Sequence, residues 1–429
     1  MLSKLLLKKR ASQILQNSLK KYILDTLTLF KGSSIAQIIP LFAIPFITRL
    51  YGTETIGQFA IIYAIATIFG TIAGFKLEFA LVPATDSDRS TLFALLLVLM
   101  IPMVLLFTSM FVLTVSVVEI EQFKFSRTSI AYLAVLAILT GLVNSANFYN
   151  SSLQNFKRIA NAKITLAAST FTLQITLGYI FQASVEMLLI SRIFSLAVSF
   201  FILSSGIEWK DLRAITMRSI LKILKKQLSY ILYFWPASII DVVAKQVPIL
   251  LIGGLYGDSL AGYYSMAERV LSVPTAAISS AVSQSFYQKF VSELKLEANP
   301  RRILLFTWKM LGGIGALPFL LLFIYSHELI GFVLGNGWLT SAEIIRVLLL
   351  MTYVAFISAS TSSAMIALDG QKYSLYFTIF ALFNKAGGIY YGYMHGDLLL
   401  GLGIMAALQI VLNLLYNSVI LWKLKGRIL

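Results

Sequence analysis

Apolar residues run along this chain in stretches about as long as a bilayer is thick, broken by short clusters of charge and turn formers. The stretch "STLFALLLVLMIPMVLLFTSMFVLTVSVV" (90–118) carries no charged side chain, and roughly 20 such residues suffice for a helix to cross the hydrocarbon core. Reading the runs between breaks predicts twelve helices. In the first half they cover 32–50, 57–80, 90–118, 128–150, 159–182 and 186–206. In the second half they cover 228–254, 259–286, 303–326, 341–366, 373–394 and 398–422. The pattern is that of an all-α integral membrane protein.

The basic residues test this count, because they collect on the cytoplasmic side of a bilayer. With the N-terminus placed inside, the inner segments take Lys4, Lys8, Lys9, Arg10, Lys157, Arg158, Lys163, Arg301 and Arg302, among many others. Only Arg49, Lys124, Arg127 and Arg346 fall outside. Both termini are therefore expected in the cytoplasm. The domain plan that follows has a basic amphipathic segment over 1–31, a six-helix lobe over 32–206 and a basic cytoplasmic linker over 207–227. A second six-helix lobe over 228–422 and a short tail over 423–429 complete it. The opening "MLSKLLLKKRASQILQNSLKKY" lacks an apolar core followed by a small-residue cleavage site, so it reads as a cationic helix lying on the membrane rather than a removed leader. Trp209, Trp308, Trp338 and Trp422 fall near predicted span ends, as an aromatic belt would put them.

The two lobes share a phrase. "LYGTETIGQF" (50–59) and "LYGDSLAGYY" (255–264) match at an offset of 205, with Gly52 on Gly257 and Gly57 on Gly262. Each copy joins the first and second helix of its half, and its glycines are expected to permit a tight turn with positive φ. A weaker echo, "LQNFKR" (153–158) and "LDGQKY" (368–373), follows the fourth helix of each half. Six helices bring the chain back to the side it left, so the halves should be related by an axis along the membrane normal, a parallel repeat of the kind found in transporters.

Composition agrees with a bilayer protein and removes several chemistries. The chain is 58% hydrophobic and 13% charged, with a mean hydropathy of +0.83. Its net charge of +16 belongs to the topology and to anionic lipid headgroups, not to nucleic acid. Without cysteine there is no disulfide and no thiolate site. Gly401 to Ala406 fits G-x-G-x-x-A but sits inside a span, His327 opens no H-E-x-x-H, and no phosphate-binding Walker loop occurs. No cofactor is expected. Charges inside spans are costly, about 2.5–3.5 kcal/mol each at mid-helix, so those present need an explanation. They are Asp241 and Lys245 one helical turn apart, Lys385 beside Asn384, Glu268 with Arg269, and Arg192; Arg49 and the pair Lys76 and Glu78 sit nearer span ends.

The run Pro40, Pro45, Arg49-Leu50-Tyr51-Gly52, Gly57, with "LGNGW" at 334–338 and the twelve-span plan, resembles the O-antigen flippases (Wzx-type) and related polysaccharide exporters. These belong to the multidrug/oligosaccharidyl-lipid/polysaccharide (MOP) exporter superfamily. The resemblance implies a MATE-like fold, a place in the bacterial inner membrane, and transport of undecaprenyl-diphosphate-linked oligosaccharide to the periplasmic leaflet by alternating access. It implies a lipid-linked oligosaccharide as substrate, membrane lipids as surroundings, and a polysaccharide polymerase and chain-length regulator as further partners. A diphosphate cargo would suit a cavity holding Lys245, Lys385, Arg269 and Arg49, since ammonium and guanidinium groups bind anionic oxygens through charge-assisted hydrogen bonds. Asn144, Asn147 and Ser151 on one helix face, and Asn384, are the expected polar lining. Asp241, Glu268 and Glu78 are the candidate acids for coupling to H⁺ or Na⁺. The structural alternatives are that Asp241 and Lys245 neutralise each other, that Arg49 and Arg192 snorkel to an interface, and that the asparagines join helices. Two rival functions stay open: a drug/cation antiporter of the same fold, which would favour buried carboxylates, and a membrane-embedded glycan polymerase or ligase, which would need a large outer loop.

Overall fold

The computed structural model describes residues 36–118, 125–207, 217–295 and 299–428. The amphipathic opening segment and Trp209 lie outside the described residues. The first lobe contains α1 (Ala36–Leu50), α2 (Thr53–Ile72), α3 (Asp86–Val118), α4 (Arg127–Ser152), α5 (Phe156–Ile180) and α6 (Val185–Ser204). A short α7 (Met217–Lys226) belongs to the linker. The second lobe contains α8 (Trp235–Tyr256), α9 (Asp258–Lys295), α10 (Pro300–Ile324), α12 (Leu339–Ala359), α14 (Gln371–Met394) and α15 (Leu398–Ile428). Two short helices, α11 (Ser326–Val333) and α13 (Ser363–Ala367), interrupt it. The twelve expected long helices are all present, and no strand occurs among the described residues.

Local chemistry fixes several ends. Ser126 accepts the Ser129 amide at 3.1 Å and caps α4, and Asn299 accepts the Arg302 amide at 3.1 Å and caps α10 just before Pro300. The second helix is shorter at its far end than expected: it stops at Ile72, and Phe75 and Lys76 take left-handed backbone before a 3₁₀ turn over Leu77–Leu81. The tenth predicted span divides at Ser360–Ser362 into α12 and α13. After α4 and after α12–α13 the chain turns through matching left-handed residues, Gln154 at φ 57° and Asp369 at φ 53°. The fainter sequence echo is therefore a repeated helix ending.

Among the described residues eight helices are long and apolar enough to cross a membrane, and α1 is a shorter apolar one. Their outward sides carry bare hydrocarbon: on α3, Val98, Ile101, Leu105, Met110, Leu113 and Val117 are all exposed. Such a continuous apolar face suits acyl chains and no aqueous surface. The three long helices that fall short of the apolar criterion are α5, α9 and α14. These are the helices that carry Lys163, Arg269 and Lys385.

The lobes meet through α2, which packs against both α8 and α9, and the largest buried apolar cluster runs through both halves. At the LYG end the contact is reciprocal. A Cβ on Gly57 would overlap the Asp258 carbonyl, and a Cβ on Gly262 would overlap the Thr53 carbonyl. Residues 53 and 258 are themselves equivalent at the offset of 205, so each lobe presses its glycine on the other's helix start. The expected positive φ holds only at Gly257, at 93°; Gly52 has φ −72°, while Gly57 and Gly262 are helical and serve close approach. Gln58 donates to Asp258 at 2.7 Å across the same seam. Trp338 also belongs here rather than to an aromatic belt: it is 3% exposed, donates to the Thr48 carbonyl at 3.0 Å and meets Tyr263 edge-on at 5.8 Å. At the opposite end the Trp235 indole donates to the Ile72 carbonyl at 2.8 Å.

Candidate functional site

Two cavities hold the intramembrane charges, and they differ in chemistry. The first, about 470 Å³, lies between α1, α2, α5, α6 and α9, so both lobes bound it. Its walls carry Lys163, Arg192 and Arg269, with Gln37, Thr170 and Gln174 as neutral polar groups and no carboxylate among the described residues. Arg192 is the best defined of these cations. Its Nη2 donates to the Tyr63 hydroxyl at 2.7 Å, its guanidinium carbon stands 4.9 Å from the Tyr63 ring centre, and Nη1 is 3.4 Å from the Thr170 hydroxyl. Tyr63 is held in turn by stacking on Phe59 at 5.8 Å. The Nε of Arg192 is buried with no partner among the described residues, which leaves a charged donor unmet.

The second cavity, about 330 Å³, lies within the second lobe between α8, α12, α14 and α15. Lys245 and Lys385 open onto it, and so does Asp241. Lys245 pairs with Asp241 at 2.7 Å, so that pair is locally neutral. Lys385 donates to the Ala244 carbonyl at 3.0 Å, which ties α14 to α8. Glu268 is exposed and stands within electrostatic reach of both Lys385 and Arg269.

The structure thus divides the expected cation set. Arg269 lies in the first cavity and Lys245 with Lys385 in the second, while Arg49 lines neither. Arg49 instead donates to the Phe332 carbonyl at 2.8 Å and the Val333 carbonyl at 2.9 Å. Those carbonyls end α11, where a helix terminus attracts positive charge, so Arg49 fastens the lobes together. Asn144, Asn147 and Ser151 line neither cavity. The neighbouring Asn150 joins helices, donating to the Ala146 and Leu203 carbonyls and accepting from Arg158 at 3.1 Å. Asn384 donates to the Met405 carbonyl at 3.0 Å, between α14 and α15. Glu78 is 4% exposed, 3.3 Å from Lys76, and lines neither cavity.

Lys163, Arg192, Tyr63 and Gln174 were not among the expected site residues. Lys163 counts among the inner basic residues in the sequence reading, at the start of the span predicted over 159–182. The signal was there: Lys163, Ala167, Thr170 and Gln174 recur at the spacing of one helix face, and all four line the first cavity.

Comparison with known proteins places the chain. A family model described as "Polysaccharide biosynthesis protein" matches residues 46–343. No curated protein matches by sequence. Among solved structures, the lipid II flippase MurJ in an inward closed conformation aligns with a TM-score of 0.69 at 15% identity, covering 92% of this chain and 87% of that one. An inward-facing multidrug resistance MATE family transporter of the MOP superfamily gives 0.63 at 14%, over 91% and 94%. A MOP superfamily transporter from Pyrococcus furiosus, described as having a binding pocket of reverse polarity, gives 0.59 at 15%, over 94% of each. At 14–15% identity these likenesses are ones of fold. The chain belongs to the polysaccharide biosynthesis protein family and has the fold of the MOP exporter superfamily.

Proposed function

We propose that the protein is a flippase that carries an undecaprenyl-diphosphate-linked oligosaccharide, an O-antigen or capsule repeat unit, from the cytoplasmic to the periplasmic leaflet of the bacterial inner membrane. The observation that carries this reading is the first cavity, where three cationic side chains from α5, α6 and α9 converge with no carboxylate on the wall among the described residues. An excess of positive charge in a low-dielectric site attracts a diphosphate and repels a cationic drug, which favours the flippase over the antiporter. The prenyl chain stays in lipid, and only the polar headgroup enters.

The seam at the LYG end supports alternating access. Arg49, Trp338 and the Gly57 and Gly262 contacts hold that end shut in this structure. Release of those few bonds would open the cavity to the periplasm while the opposite end closes. An enzymatic polymerase or ligase gains no support: the described loops at the LYG end are short, and two of the charged groups there, Arg49 and Asp258, hold the lobes together.

The deciding experiment deletes the gene and follows surface glycan and lipid-linked repeat units. Loss of surface glycan with accumulation of repeat units that remain on the cytoplasmic face is expected. Complementation with Arg269→Ala should fail although the protein reaches the membrane. Normal glycan in the deletion strain would end the proposal.

A further inference from the structure

The second cavity holds more hydrogen-bonding capacity than its own walls use. Asn413 lines it, and its Nδ2 has no partner among the described residues while its Oδ1 accepts from Gln409 at 3.4 Å. Just behind the lining, Asn417 donates to the lining Ser358 hydroxyl at 2.8 Å, and Asn384 is the sequence neighbour of the lining Lys385; the Oδ1 of each has no partner among the described residues. All of these atoms are buried, and a buried polar atom without a partner costs about 1–3 kcal/mol, so such a cluster calls for a ligand that supplies both donors and acceptors. Lys385 has three N–H donors and one bond, to Ala244. Against these polar groups stands Phe377, edge-to-face with Tyr416 at 5.2 Å, and both line the cavity.

Carboxamides that can donate and accept side by side, hydroxyls, and an aromatic face together match one kind of molecule. Vicinal hydroxyls of a pyranose both donate and accept, and its C–H face lies on a ring. The volume of 330 Å³ is at the lower edge of the roughly 300–1,000 Å³ of small-molecule sites. It admits one or two sugar rings and excludes a prenyl chain. A diphosphate fits less well, because Asp241 faces the same space and offsets Lys245.

We propose that this second-lobe pocket is a sugar subsite, holding a ring of the glycan while the first cavity holds the diphosphate. The proposal rests on the flippase reading and assigns the two halves of the headgroup to two pockets.

The test measures binding to the purified full chain in nanodiscs with two probes: undecaprenyl diphosphate alone, and the glycan-bearing lipid extracted from the producing cell. The wild-type protein should bind the glycan-bearing lipid about tenfold or more tightly than the bare diphosphate, as a few added hydrogen bonds would give. Asn413→Ala and the isosteric Asn413→Asp should remove most of that advantage and leave binding of undecaprenyl diphosphate unchanged. Arg269→Ala should weaken both probes alike. If both Asn413 variants keep the full advantage with unaltered melting temperature, the sugar subsite is overturned while the flippase reading stands. If neither probe binds the wild-type chain, the flippase reading fails and takes the subsite with it.

Discussion

Arg192 shows how a single side chain is prepared for an anion before any arrives. Its guanidinium is pinned over Tyr63 and bonded to the Tyr63 hydroxyl, so little rotamer freedom remains to be lost on binding. The planar fork is what a phosphate oxygen pair requires, and an ammonium does not reproduce it. Arg192→Lys should therefore lower transport about tenfold or more, close to the effect of Arg192→Ala, measured as surface glycan at matched protein levels. Tyr63→Phe keeps the ring and removes one hydroxyl, and a smaller loss is expected. Arg49→Ala should behave differently. It should leave binding of undecaprenyl diphosphate intact and loosen the LYG end, seen as faster proteolysis or hydrogen exchange of α11. At this scale the sequence was half legible. Charges within apolar runs were visible, but which neighbour each one meets depends on helix rotation. From sequence Arg49 reads as a cavity cation, with an interface position as the alternative for it and for Arg192; in the fold Arg49 is a fastener and Arg192 a cavity wall.

The helices that look least suited to a membrane are the informative ones. α5, α9 and α14 are too polar to qualify as spans, because each gives one face to a cavity and spends polar residues there. Their boundaries were still predicted to within a few residues, except that α9 continues to Lys295. Turn chemistry was less legible. Gly57 and Gly262 looked like loop glycines and proved to be helical positions where two lobes touch. Gly57→Val should drive the lobes apart at this point, lowering stability by about 1–3 kcal/mol in the manner of other overpacked contacts, read as a lower melting temperature. Gly262→Val should cost a similar amount. Gly52, which has open space around it and negative φ, should accept alanine with no measurable loss.

Two lobes joined by a repeated seam define the molecule as a whole, and the lack of native cysteine makes the seam easy to lock. With Gln58→Cys and Asp258→Cys, a short bis-thiol reagent should link the lobes and stop transport, and a cleavable version should restore it on reduction. Full transport by the linked protein would show that this end never opens. The two-lobe plan was readable from the matched phrases alone. The division of charge between two cavities was not, because nothing in spacing along a chain says which helices face each other across the centre.

The mutual glycine contact has one more consequence. Because Gly57 meets Asp258 as Gly262 meets Thr53, the surface that seals the protein is self-complementary, the same kind of patch on both partners, as in a symmetric dimer. Nothing in that patch needs the covalent linker. Severing the chain between 208 and 216 and expressing the pieces together should yield a working assembly, each fragment recognising in the other a copy of itself.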